Sequence, residues 1–142
     1  MKNIFLKSYS FLLIAILTVG CVSSAIFNQK AYEQTTSLKV DALTLMDKAI
    51  EPYANHQAVI DGLKLNMEKA YQYCKGLPDN DETIKQWEII KDPNRNSLMG
   101  FLNRWETQKQ LKPDFINDAK GLVSDGFDAV IELESGKRKP TN

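Results

Sequence analysis

From about Lys30 the apolar residues return at steps of three and four. Ala31, Leu38, Ala42 and Leu45 open the stripe, and Leu43, Met46, Ile50, Tyr53, Ile60, Leu63, Met67, Ala70, Tyr71 and Cys74 carry it on. That period belongs to an amphipathic α-helix. Pro52 interrupts it. Inside a helix a proline deletes one hydrogen bond and its ring meets the carbonyl four residues back, here Lys48, at a cost of about 3 kcal/mol. Either the chain reverses at residues 51–55 and makes a hairpin, or the helix kinks and runs on with Pro52 at the first position of its second half. Met46, Ile50, Tyr53 and Ile60 keep one phase across the proline, and no glycine marks a turn. The pattern therefore favours one long, Pro-kinked helix over residues 30–75, which would span roughly 70 Å.

Its stop is explicit. Lys75-Gly76-Leu77-Pro78 puts a cation in the last turn, a glycine in position for a left-handed cap and a proline just beyond. Asp79, with Glu82 three residues on, has the form of a capping box for the next helix, and the acidic cluster suits the positive end of its dipole. Ile84, Trp87 and Ile90 follow on one face. The run 91–96, with Pro93 inside it, is a break or sharp kink. The helix resumes near Ser97 with Leu98, Phe101, Leu102 and Trp105. Gly100 weakens it by about 1 kcal/mol relative to Ala, or permits a close helix crossing. Pro113 and Asp114 open the last helix. Phe115, Ile116, Ala119, Leu122, Val123, Phe127, Val130 and Leu133 form the cleanest stripe in the chain, and it ends at Ser135-Gly136. The elements predict an all-α protein, a three- or four-helix bundle over residues 30–136, with a basic, disordered tail at 137–142.

Ahead of the bundle stands a different pattern. Lys2 and Lys7 precede nine uncharged residues, 11–19. That run is too short to cross a hydrocarbon core, which needs about 20 apolar residues, and it fits the apolar region of a secretory signal peptide. Leu17-Thr18-Val19-Gly20-Cys21 then resembles a bacterial lipobox. Val19, Gly20 and Cys21 match, and Thr18 stands where Leu is usual. The resemblance implies that residues 1–20 are a cleaved signal peptide. It implies that Cys21 carries diacylglycerol on its sulphur, and that residues 21–29 are a lipidated leader. Two or more acyl chains pass the threshold for stable anchoring, at about 0.8 kcal/mol per buried CH₂. The chain is similar in this respect to small envelope lipoproteins of Gram-negative bacteria. In that family Val22, rather than Asp, after the cysteine implies the outer membrane, with the body on the periplasmic side.

Composition narrows the chemistry. Without residues 1–20 the chain keeps 122 residues, enough for one domain, with 16 basic and 18 acidic side chains. No strong field is left to attract nucleic acid or anionic lipid. With Cys21 acylated, Cys74 is the one remaining thiol, so no internal disulfide forms. His56 is the single histidine. Asp47, Glu51 and His56 do not share a helix face at ligand spacing, so no metal site is expected. Cys74 continues the apolar stripe at a helix C-terminus, where the dipole raises a thiol pKa, which marks a core residue rather than a nucleophile. The carboxylate pairs Asp79 and Asp81, Asp125 and Asp128, and Glu132 and Glu134 read as solvated helix charges rather than acid–base couples. No phosphate loop, nucleophile elbow or HExxH run is present. Neither a catalytic group nor a cofactor is expected. Aromatic residues dominate cores and binding hot spots alike. Tyr73, off the stripe, together with Phe101 and Trp105, forms the expected partner surface. The resulting expectation is a lipid-anchored, non-catalytic module that binds or braces another envelope protein. The alternative is a bundle that holds a small hydrophobic ligand between its helices.

Overall fold

The computed structural model describes residues 25–137. Residues 1–20, expected as a signal peptide, Cys21, and residues 138–142 of the expected tail lie outside them. Five α-helices follow in order: α1 Gln29–Met46, α2 Gln57–Lys75, α3 Asp81–Lys91, α4 Leu98–Gln108 and α5 Pro113–Ser135. Single 3₁₀ turns at Asp47–Ile50 and Tyr53–His56 flank Pro52. The chain is all-α, and its helices pack as a bundle. Among the described residues no helix is long and apolar enough to cross a membrane.

The continuous kinked helix expected over residues 30–75 does not form; the chain reverses. Glu51 (φ −97°, ψ 162°) and Pro52 (φ −59°, ψ 130°) are both extended, so two successive residues leave the helical region. α2 then runs back along α1, and the Tyr73 hydroxyl near its end donates to Asn28 Oδ1 at the start of α1 (3.1 Å). The reversal is stitched to a distant part of the chain. The Tyr53 amide donates to the Lys109 carbonyl (2.9 Å), the Leu111 amide to the Ala49 carbonyl (2.8 Å), and Trp105 Nε1 to the Glu51 carbonyl (3.0 Å). Backbone groups freed by the proline are thus paired, as buried backbone must be. Ile50, counted on the apolar stripe, is 54% exposed.

α1 lies between α2 and α5. Lys39 pairs with Asp128 (2.6 Å) and Lys120 with Asp47 (2.5 Å), which fixes α1 and α5 antiparallel. α3 runs antiparallel to α5, with Trp87 edge-on to Phe127 (6.1 Å, 90°) and Thr83 bonded to Glu134 (2.9 Å). It also runs antiparallel to α2, where Tyr71 donates to Glu88 (3.1 Å) and Lys91 pairs with Glu68. The core is one continuous cluster, and Trp87, Trp105, Phe127, Met46 and Met67 are among its fully buried side chains.

The helix ends depart from the expected caps. Gly76 stays in the right-handed region (φ −81°), and Asp79 takes the positive φ (54°) instead. α3 begins at Asp81 with Asn80 as its cap residue, one position later than a cap at Asp79 would set it. The Asn80 amide turns back to donate to the Cys74 carbonyl (2.8 Å), satisfying the end of α2. Ser97 does cap α4, accepting from the Gly100 amide (3.2 Å), and Pro113 opens α5.

Candidate functional site

Of the residues expected to carry function, Cys21 falls outside the described residues. Tyr73, Phe101 and Trp105 do not come together. Tyr73 is half-buried where α2 ends, its hydroxyl on Asn28 and its ring under Lys30 Nζ (4.6 Å). Trp105 sits beside the reversal at the other end of α2, 0% exposed, edge-on to Tyr53 (5.5 Å, 85°). Its ring buries a large apolar area and its N–H is taken by the Glu51 carbonyl, so nothing of it is left for a partner. Phe101 is buried too, stacked on Phe115 at 6.0 Å and 3°. The expected partner surface is therefore corrected. Two of its three members are core, because in α4 they occupy the face turned to the bundle.

His56 is partly sheltered. Its Nε2 lies 2.8 Å from Glu51 Oε2, and its ring is tilted against Trp105 at 5.6 Å. Among the described residues no group of three or more His, Cys, Asp or Glu is placed to hold a metal ion. Cys74 is buried at the end of α2. Burial foremost, and then the charge of Glu134, push its thiol up to about 11; Trp87, Lys137 and Asn80 oppose this. A thiol so raised stays protonated at neutral pH and is a poor nucleophile.

Glu134 is the residue that sequence reasoning misplaced most. Read as a solvated helix charge, it is 0% exposed. Thr83 donates to its Oε1 (2.9 Å), and Lys137 pairs with the same oxygen while also reaching Asn80. The one signal for it was its spacing: Phe127, Val130 and Glu134 step by three and four along the buried face. The buried ion pair closes the end of the bundle near Cys74 and Asn80 and is structural in its contacts.

Two open grooves mark the opposite end. One, of about 510 Å³, runs between α1 and α2 past Asp41, Lys48, His56, Val59 and Leu63. The other, of about 260 Å³, lies between the 93–97 loop, α4 and α5, and is lined by Arg95, Phe101, Arg104, Phe115 and Leu122 among others. Gly100 shapes the second: a Cβ there would stand 1.9 Å from the Arg95 carbonyl, so the loop rests directly on the α4 backbone. The close approach that Gly100 permits is thus to a loop, not to another helix.

The fold and these surfaces define a small all-α bundle with a filled aromatic core and open grooves at both ends, a third of about 580 Å³ lying past Glu82, Leu133 and Lys137. Comparison with protein-family models, with curated proteins and with solved structures found no match.

Proposed function

We propose that the chain is a lipid-anchored, non-catalytic module of the bacterial envelope that binds or braces another protein. The observation that carries this reading is the run at residues 17–21, which ends on Cys21 eight residues ahead of Gln29. Cleavage and acylation there would hold the start of α1 at a membrane surface and leave the bundle in the periplasm. Support for a binding rather than a catalytic role comes from the side chains: His56 is occupied by Glu51, the Cys74 thiol is held protonated, and Glu134 is spent on Lys137. The alternative, a small hydrophobic ligand, draws no support from a core filled by Trp87, Trp105 and Phe127; the place it would use is the open groove of about 510 Å³ between α1 and α2.

The antiparallel register gives the proposal a direction. α1 is 18 residues long, about 27 Å at 1.5 Å per residue. Its start would face the lipid, and its far end, with both grooves, would face away. Mass spectrometry of the native protein tests the anchor: the expected product begins at Cys21 with a diacylglycerol adduct, and an intact Met1 or an unmodified Cys21 sulphur would sink it. Cys21→Ser should release the protein from membranes washed at alkaline pH. Photo-cross-linking from surface positions in intact cells tests for the partner, and a chain that cross-links to nothing from any face would end the binding role.

A further inference from the structure

We infer that the groove between the 93–97 loop, α4 and α5 docks a protein segment in which a carboxylate stands beside an apolar side chain. The inference deepens the protein-binding reading above and rests on it.

The first observation is the choice of cation. The chain has 15 lysines and three arginines. Arg95 and Arg104, the two arginines among the described residues, both line this one groove, and no lysine does. Arginine differs from lysine in presenting a planar fork of donors that matches a carboxylate with two parallel hydrogen bonds. Arg104 holds its guanidinium carbon over the Phe115 ring, 4.0 Å from the centroid, and has no acceptor among the described residues. Stacking orients the guanidinium without using its N–H groups, so they remain directed at whatever enters. Arg95 gives its Nε to Asp92 (3.1 Å), which steadies the side chain and leaves its two terminal nitrogens.

The second observation is the floor. Phe101 and Phe115 are stacked, with Arg104 over Phe115, and Leu122, which lines the same groove, is 51% exposed although it continues the apolar stripe of α5. A volume of about 260 Å³ is below the range typical of small-molecule and cofactor sites. It suits one apolar side chain with a neighbouring acid, the kind of compact anchor on which protein interfaces depend.

The third observation separates a protein from a lipid surface. Asp118 lines the same groove. Its carboxylate opposes any anion, but a dense array of headgroups more than a single carboxylate that two arginines can pair, and it can accept an N–H from a peptide backbone. The groove also stands at the end of the bundle away from Gln29, as the Lys120–Asp47 pair shows by placing this part of α5 beside the end of α1.

The test uses the full chain as the cell makes it, held in phosphatidylcholine nanodiscs if it is acylated and in buffer if it is not. Fluorescence anisotropy follows a dye-labelled peptide, Gly-Glu-Phe-Asp-Leu-Gly, against its neutral analogue Gly-Gln-Phe-Asn-Leu-Gly. The acidic peptide should bind saturably and the neutral one about tenfold more weakly or worse. Arg104→Gln and Arg95→Gln should each weaken the acidic peptide by about tenfold, Arg104→Lys should not restore it fully, and Leu122→Ser, at an exposed position, should weaken both peptides. Circular dichroism should be unchanged in all four variants, and Tm should move only slightly, as for the loss of one exposed ion pair. Absence of saturable binding, equal binding of both peptides, or indifference to the arginine substitutions would overturn the site. So would Arg104-dependent binding of dihexanoylphosphatidylglycerol below its micelle concentration with no binding of the peptide, which would assign the groove to lipid. Partners that cross-link in cells only from other faces would remove this groove while leaving the wider binding role intact.

Discussion

At the scale of single residues, three positions are defined by what surrounds them rather than by residue type. Glu134 is a carboxylate in a place where charge is costly unless paired, and Lys137 and Thr83 pair it. Lys137→Met should therefore cost about 3–5 kcal/mol in urea denaturation, and adding Glu134→Gln should recover most of it. Two independent losses that simply summed would show that the pair is not coupled. Cys74, pushed up to about 11 mainly by burial, stays a thiol in the folded chain while the unfolded chain ionises above about pH 8.5. Its folded pKa is raised, so the stability linked to it is complete below that pH and falls as the pH rises towards 11. Cys74→Ala should flatten this alkaline decline, and native Cys74 should resist iodoacetamide at pH 8 until urea is added. Gly100 is required by the Arg95 carbonyl standing 1.9 Å from where a Cβ would be. Gly100→Ala should lower stability by about 2–3 kcal/mol even though alanine is the better helix former.

At the scale of elements, the instructive case is the reversal at Pro52. The phase of Met46, Ile50, Tyr53 and Ile60 argued for continuity, yet Ile50 points outward and the agreement is a coincidence of spacing. What decides the turn lies some 55 residues away: Lys109, Leu111 and Trp105 take the backbone groups that a broken helix leaves over. No local window contains that information. Trp105→Phe keeps the ring but loses the bond to the Glu51 carbonyl, and should cost about 1–2 kcal/mol by thermal melting; no loss would mean that the turn holds without it. The caps tell the same story on a smaller scale. Ser97 and Pro113 work as local chemistry predicts. Gly76 and Asp79 do not, because Asn80 is drawn to the Cys74 carbonyl and moves the start of α3 to Asp81.

At the scale of the whole molecule, exposed ion pairs tie the surface together, and two of their acids, Asp92 and Glu68, titrate low. The backbone amide of Asn94 holds the Asp92 carboxyl below its usual range, helped by Arg95, and Lys91 does the same for Glu68. Their folded pKa values are depressed, so the stability they supply is present above about pH 4 and is lost as the pH falls through the lower folded values. Tm should fall between about pH 5 and pH 3, and Asp92→Asn combined with Glu68→Gln should shrink that fall. The pairs Lys39–Asp128, Lys120–Asp47 and Lys91–Glu68 set the helix register and so place the two grooves away from Gln29, the end that an acylated Cys21 would tether. The amino-acid pattern alone determined the helical class, the positions of α3, α4 and α5 to within a few residues, and most of the buried face, because apolar periodicity and terminal proline or serine act within a turn or two. Only the tertiary structure decided the reversal at Pro52, the burial of Phe101, Trp105 and Glu134, and the meeting of Arg95 with Arg104 on one groove. Each of these depends on partners remote in sequence, and the free energy that selects them exists only once the helices have packed.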